Sequence, residues 1–375
     1  MKFIHTADWQ IGMKAVHVGA AGPRVRAARL ESAKAVIHAA KEHRADFILL
    51  AGDNFEHNGV DRVLVQQVAD ILQGFDGPSY VLPGNHDPLE PGSVWEHPAW
   101  ERAPNIHILR EPLPVEIPGG TLYPCPAKAK HSRADPTAWI ASTGGDGIRI
   151  GAAHGTVEGI QHEEPDYPIP RDAASRLGLD YLALGHWHST AFYPGADGTT
   201  RMTYSGTHET TKFGERDSGN VLLVEILSQK AVPTLTSLQT GKLRWEKLPE
   251  ESIREAGDLG RLRAKIEAME GGTETLLDLT LAGLLAAQER SELVRIRELL
   301  EARFLYHRLD DSRLLPIPTD EQWVSSLPPG ILRDTAARLR AYADPASQER
   351  PPGIRPETAA RALLELCALT AEGRR

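Results

Sequence analysis

Five short clusters of oxygen- and nitrogen-bearing side chains recur through the first half of the chain: Asp8 with Gln10; Asp53 with Asn54; Asn85, His86 and Asp87; His154; and His186 with His188. Carboxylate oxygen, amide oxygen and imidazole nitrogen are ligands for borderline or hard divalent cations such as manganese, magnesium, iron or zinc. No thiolate joins them, which disfavours a structural zinc site. Any one cluster could simply cap a turn. The ordered series could not easily arise by chance, and Gly52, Gly84 and Gly185 stand immediately before a polar member, where backbone turns sharply or approaches a ligand closely. A divalent cation held by such ligands lowers the pKa of a bound water and polarises the group that it attacks. The chemistry implied is metal-assisted hydrolysis.

Each cluster follows an expected strand. Phe3 to Thr6, Phe47 to Ala51, Tyr80 to Leu82, Ile148 to Ala153 and Asp180 to Leu184 are short apolar runs, and a polar motif ends each. A helix over Arg24 to His43 carries Leu30, Ala33, Ile37 and Ala40 on one face, and a second carries Leu64, Val68, Ile71 and Leu72. Layered sheets bind ligands beyond their strand ends, so residues distant in sequence can converge there. Val115 to Ile117 and Thr121 to Tyr123 flank the hairpin signal Pro118-Gly119-Gly120. Ile148 to Ala153, Asp180 to Leu184, Met202 to Tyr204, Val221 to Ile226 and Val232 to Leu238 suggest a second sheet packed on the first. The expected fold class is α/β (α+β), a helix-flanked two-sheet β-sandwich over residues 1–240. Residues 241–315 follow as a small α/β cap, with a β-like stretch at Leu276 to Leu281 and a helix from Ser291 to Tyr306. Residues 316–375 form a helical segment, Ile331 to Tyr342 and Pro356 to Ala371, punctuated by Pro328-Pro329-Gly330 and Pro351-Pro352-Gly353 and suited to docking a partner.

Composition sets the remaining bounds. The 375 residues are 41% hydrophobic and 25% charged, an ordinary globular balance. No apolar run reaches the roughly 20 residues that cross a bilayer, and the first residues enter a strand directly, so no membrane association and a cytoplasmic location are expected. Cys125 and Cys367 form no paired motif, which suits a reducing compartment. A net charge of −9 argues mildly against a surface wholly devoted to nucleic acid, although basic clusters remain at Arg24, Arg26 and Arg29, at Lys128, Lys130 and Arg133, and at Arg201, Lys212 and Arg216. No phosphate-binding Gly-x-x-x-x-Gly-Lys loop, zinc-helix His-Glu-x-x-His or Gly-x-Ser-x-Gly elbow is present. Any ATP chemistry belongs to a partner.

The ordered set resembles the calcineurin-like metallophosphoesterases, whose pattern is Asp-x-His, Gly-Asp-x-x-Asp, Gly-Asn-His-Asp/Glu, His and Gly-His-x-His, and the match covers roughly residues 1–240. Within that superfamily, His5-Thr6-Ala7-Asp8-Trp9-Gln10-Ile11-Gly12 is similar to the opening of SbcD-type DNA-repair exonucleases. Tyr204-Ser205-Gly206-Thr207, Phe213-Gly214-Glu215 and the strand from Asn220 to Ile226 resemble the stretch that closes their nuclease domain. The resemblance implies that Asp8 and His188 hold one cation, that Asn85, His154 and His186 hold the other, and that Asp53 bridges both. It places His86 near the scissile phosphate, so that His86 and Asp53 are the catalytic candidates, with Arg201, Lys212 and Arg216 as candidate substrate contacts. It further implies two manganese ions, DNA as substrate, an SbcC-type coiled-coil ATPase as partner, and homodimerisation as an open question. Two positions depart from the pattern. Gln10 replaces a histidine ligand with a weaker oxygen donor, and Glu56 replaces an aspartate, either as an exposed loop acid or as a group orienting a histidine. Two alternatives stay open: a phosphoesterase for a nucleotide, cyclic phosphodiester or phosphoprotein, and a non-catalytic DNA- or ATPase-binding subunit whose first metal site has decayed.

Overall fold

Alternation along a strand decides which layer each residue serves. In β1 (Lys2–Thr6), Phe3 faces one apolar cluster and Ile4 the other. α1 (Gly22–Glu42) starts with a proline in its first turn, where a missing N–H costs nothing, and buries Val25, Ala28, Ala33, Val36 and Ala40. β2 (Phe47–Ala51) is buried at every position, as its unbroken apolar run requires. α2 (Arg62–Gln73) is capped by the Asp61 side chain, which accepts from the Val63 N–H at 2.9 Å, a contact worth about 1 kcal/mol. β3 (Ser79–Leu82), β4 (Ile106–Ile108), β5 (Val115–Ile117), β6 (Gly120–Cys125) and β7 (Ile148–His154) follow. Next come the short α3 (Ala173–Arg176), β8 (Tyr181–Gly185), β9 (Ala191–Pro194), β10 (Thr200–Tyr204), β11 (Asn220–Glu225) and β12 (Thr234–Gln239).

These elements belong to the first of two compact units, Met1–Arg244 and Trp245–Arg375, in a computed structural model that describes residues 1–142, 147–159, 166–317 and 322–372. The first unit holds two six-stranded sheets, ordered β12-β11-β1-β2-β3-β4 and β5-β6-β7-β8-β10-β9. Phe3, Phe47, Leu49, Tyr80, Leu122, Ile150, Tyr181 and Leu222 fill the space between them, with Phe3 stacked on Phe47 at 4.6 Å. α1 and α2 cover the outer face of the first sheet, while Ala173, Ala174 and Leu177 join the cluster on the outer face of the second. The helix-flanked sandwich expected from the sequence is therefore present. One membership differs: β11 and β12, expected in the second sheet, pair antiparallel beside β1 in the first. Strand periodicity fixes a face but not a neighbour, and the four residues Val221–Val224 are buried on both faces wherever they pair.

What matters for chemistry is strand direction. β1, β2, β3 and β4 run parallel, as do β6, β7, β8 and β10. Every cluster named above lies at or just beyond the C-terminal end of one of these strands.

The second unit has its own sheet and core. β13 (Arg244–Lys247), β14 (Glu251–Ile253), α4 (Asp258–Ala268), β15 (Thr275–Leu285), α5 (Arg290–Arg303) and β16 (Tyr306–Pro316) surround Ile253, Leu259, Leu277, Leu279, Ile296 and Leu300. The sequence pattern predicts a helix as far as Tyr306; the chain instead leaves it at Arg303 and forms β16, parallel to β15. Charged residues at alternate positions hide that strand, since it is buried on one side only. α6 (Gln322–Ser326), α7 (Ile331–Ala343) and α8 (Pro356–Glu372) complete the unit. Among the described residues no helix is long and apolar enough to cross a membrane.

Candidate metal centre

Backbone geometry builds the site before any side chain acts. Past the ends of β1 and β2 the two loops stay laced together: Asp8 N–H donates to Gly52 at 3.0 Å, Gln10 N–H to Asp53 at 2.9 Å and Ile11 N–H to Asn54 at 3.0 Å. Asp8, Gln10, Asp53 and His186 have φ of 54, 40, 52 and 107°, a left-handed conformation that costs non-glycine residues roughly 1–3 kcal/mol each. Strain repeated in four residues at three strand tips indicates that position, rather than stability, governs these residues. Gly84 shows why small residues precede them. A Cβ there would lie 2.2 Å from both the backbone nitrogen and Oδ1 of Asp53.

The donor atoms converge. Asp53 Oδ2 lies 3.3 Å from His154 Nε2, which lies 3.0 Å from Asn85 Oδ1, and that oxygen is 3.3 Å from His186 Nδ1. Ligand atoms of Asp53, His154 and His186 all fall within 4.8 Å of one another. Two donors each about 2.1 Å from one cation and near a right angle are separated by about 3 Å, so these spacings are those of neighbouring ligands on a single divalent ion. Beside them, both Asp8 oxygens accept from the His186 N–H, at 3.0 and 3.2 Å. His188 Nδ1 contacts Glu215 Oε1 at 2.8 Å, which leaves Nε2 as its ligating atom, and the ring interacts electrostatically with Asp8. The residues present fit a pair of divalent cations, one beside Asn85, His154 and His186 and one beside Asp8 and His188, with Asp53 in reach of the first set. Gln10 is held at the same rim through its backbone and is 8% exposed.

Charge in this cluster is strongly perturbed. Burial pushes Asp8 upward, opposed by His154 and His188. Burial acts on Asp53 in the same direction, but the attraction and hydrogen bond of His154 outweigh it and hold Asp53 below the usual carboxylate range. Burial alone would neutralise His154; the carboxylates of Asp53 and Asp8 reverse this and raise it to about 9. His186, lowered to about 4 by burial and by His154, is neutral. A protonated His154 thus balances buried carboxylates that a cation could balance instead.

Four supporting groups are visible only in three dimensions. Asp87, buried and pushed up to about 7 by desolvation and by Asp53, accepts from the N–H groups of Gly84, Asn54 and Phe55 at 2.6, 2.8 and 2.9 Å and so ties the second cluster to the third. Asp166 accepts from Asn85 Nδ2 at 3.3 Å, which turns Asn85 Oδ1 toward the histidines. Glu215 supports His188. Arg29, fully buried, donates to the carbonyls of Asp8, Trp9 and Glu209. The sequence contained Asp87, Glu215 and Arg29 within noted stretches, but their partners lie up to 180 positions away. At Glu56 it is the main chain that orients a histidine: its carbonyl accepts from His86 Nδ1 at 3.0 Å, so the side chain's identity matters little there.

His86 itself is at the cluster, its Nε2 3.9 Å from Asp53 Oδ2 and its side chain 35% exposed. The basic candidates are placed differently. Arg201 sits at the start of β10, against the start of β8, and spends its guanidinium on the carbonyls of Asp180, Ala231 and Lys230. It is at the opposite end of the strands from the candidate cation ligands, where it braces the chain rather than facing a substrate there. Lys212 and Arg216 are exposed on the loop that carries Thr211 and Glu215, beside His188.

A family model described as calcineurin-like phosphoesterase matches residues 1–190, just over half of the chain. The chain is 27% identical over 202 residues to the uncharacterized metallophosphoesterase YhaO of Bacillus subtilis (strain 168), covering 50% of this chain and 48% of that protein. It is 25% identical over 256 residues to the SbcD subunit of the SbcCD nuclease from the same organism, covering 57% of this chain and 63% of that protein. The chain therefore spans about half the length of the first relative and less than two thirds of the second. Among solved structures it is similar to TT1561 of Thermus thermophilus, at 12% identity and a TM-score of 0.41, covering 64% of this chain and 98% of that one.

Proposed function

The chain belongs to the calcineurin-like phosphoesterases, metal-dependent hydrolases of phosphate esters, and on that premise we propose that its substrate is DNA and that it acts as a two-cation phosphodiesterase. The observation that carries the hydrolytic reading is the 3.0–3.3 Å spacing among Asp53, Asn85, His154 and His186 donors at the ends of parallel strands. Support for DNA comes from the similarity to a nuclease subunit, which extends over more residues than the family match, and from the opening and domain-closing stretches noted in the sequence.

A pair of divalent cations bound here supplies a water nucleophile near neutral pH and positive charge around phosphorus. The chain's own groups do the rest. Asp53 would contribute its carboxylate to both cations, as the resemblance implies, and would so hold the two ligand sets together. His86, anchored through Nδ1 to the Glu56 carbonyl, directs Nε2 toward the cluster, where it can hold a proton for the departing oxygen or offset charge on the phosphoryl group. Lys212 and Arg216 are exposed beside His188 and suit contacts to a neighbouring phosphate. Manganese is the proposed cation because Gln10, standing where the family has a histidine, would offer an oxygen donor to one site. An SbcC-type ATPase is the proposed partner, docking on α7 and α8, where Ile331 is 84% and Leu369 65% exposed.

With manganese, the purified chain is expected to degrade linear DNA. Asp53→Ala is expected to abolish this, and His86→Ala to lower turnover by at least about 100-fold with cation binding retained. Turnover of small phosphodiesters or phosphopeptides with DNA left intact would instead favour the small-substrate reading, and full activity in either variant would contradict the site.

A further inference from the structure

The two ligand sets are supported in different ways. His154 Nδ1 is fixed by a main-chain carbonyl, that of Ala51 at 2.9 Å, and Asn85 by Asp166. Neither support comes from the segment after β10. Asp8 and His188, by contrast, are both held by residues 207–215, which lie beyond the stretch that matches the family. Thr207 donates its hydroxyl to the Asp8 carbonyl at 2.8 Å and its N–H to the His188 carbonyl at 3.0 Å. Arg29 clamps the carbonyls of Asp8 and Glu209 together at 3.0 and 2.9 Å. At the far end of the segment, Glu215 Oε1 lies 2.8 Å from His188 Nδ1, and Thr211 Oγ1 lies 3.1 Å from the same nitrogen. Thr211 gives both its N–H, at 2.7 Å, and its hydroxyl proton to Glu215. With that hydroxyl proton committed to Glu215, His188 Nδ1 must be the donor, and its lone pair is confined to Nε2. The Glu215 side chain is only 4% exposed, so its position is determined by these contacts.

We infer that Glu215 is a positioning residue that sets cation affinity at the Asp8–His188 site alone, by fixing the His188 tautomer and raising the basicity of Nε2. This rests on the two-cation reading above. The physical need is local: the resemblance puts Gln10 where the family carries a histidine, so the remaining imidazole at that site, His188, gains from an anionic partner, whereas His154 is served by a neutral carbonyl. Loss of such a supporting carboxylate lowers metal affinity by about 10- to 100-fold.

The test is isothermal titration of manganese into the full chain, stripped of metal beforehand, for the wild type and for Glu215→Gln. The wild type is expected to bind two cations. Glu215→Gln is expected to keep one site within about twofold of its wild-type affinity and to weaken the other by about 10- to 100-fold, with an unchanged far-ultraviolet spectrum and melting temperature. Two sites of wild-type affinity in Glu215→Gln, or equal weakening of both, would overturn the inference while leaving the two-cation reading intact. Fewer than two cations in the wild type would overturn both. Should Glu215→Gln not fold, the same titration of Thr211→Val, which removes one of the groups holding Glu215 in place, decides the matter: selective weakening of one site supports the inference, and no weakening or equal weakening overturns it.

Discussion

At the scale of single residues, the cluster sets buried carboxylates against imidazoles. His154 is raised to about 9 by Asp53 and Asp8, and a histidine must be neutral to ligate a metal. Cation binding therefore displaces a proton from His154 at every pH below about 9. The sign follows directly: lower pH favours the protonated, metal-free form, so manganese affinity is expected to rise by about tenfold per pH unit from neutrality toward pH 9 and then level off. Titration calorimetry in buffers of different ionisation enthalpy measures this, since about one proton should be released with the cation that His154 binds. Affinity independent of pH across that range would contradict displacement of a proton from His154 by the cation. His186, already neutral through burial, adds nothing to the proton count.

At the scale of elements, the site depends on how tightly parallel strand tips approach. Gly84 lies so close to Asp53 that any side chain must displace it, and Gly185 would bring a Cβ within 2.1 Å of the Ala51 carbonyl, the group that orients His154. Gly84→Ala is thus expected to keep the fold, because the strain falls in a loop, yet to lower manganese affinity by about tenfold or more as Asp53 shifts; near-wild-type affinity would contradict the packing described. The candidate ligands were legible in the sequence because of where they stand. Each follows a short apolar run, and a run such as Phe47–Ala51, with no polar face, must lie inside a sheet and end at its edge. Partnerships that span the sheets were not legible. Nothing in the chain's order pairs Glu215 with His188, Asp166 with Asn85 or Arg29 with Asp8, and Arg201 looked like a phosphate contact because its three carbonyl partners come from distant segments. The strand β16 was missed because its charged, half-exposed pattern resembles the end of a solvated helix.

At the scale of the molecule, among the described residues, the candidate cation ligands and the groups that orient them lie in Met1–Arg244, and that unit has apolar clusters of its own. Residues 1–244 expressed alone are expected to fold and to bind two manganese ions with affinities near those of the full chain; a fragment that folds but binds fewer would place part of the site in the second unit. DNA degradation in the full chain but not in that fragment would assign substrate engagement to Trp245–Arg375. The central claim, that strand-tip side chains gather around a cation pair, is tested most directly by anomalous diffraction from crystals soaked in manganese. Two peaks about 3.5–4 Å apart are expected, one within ligand distance of Asn85, His154 and His186, the other beside Asp8 and His188, with Asp53 touching both. Peaks located elsewhere, or none in contact with Asp53, would contradict it.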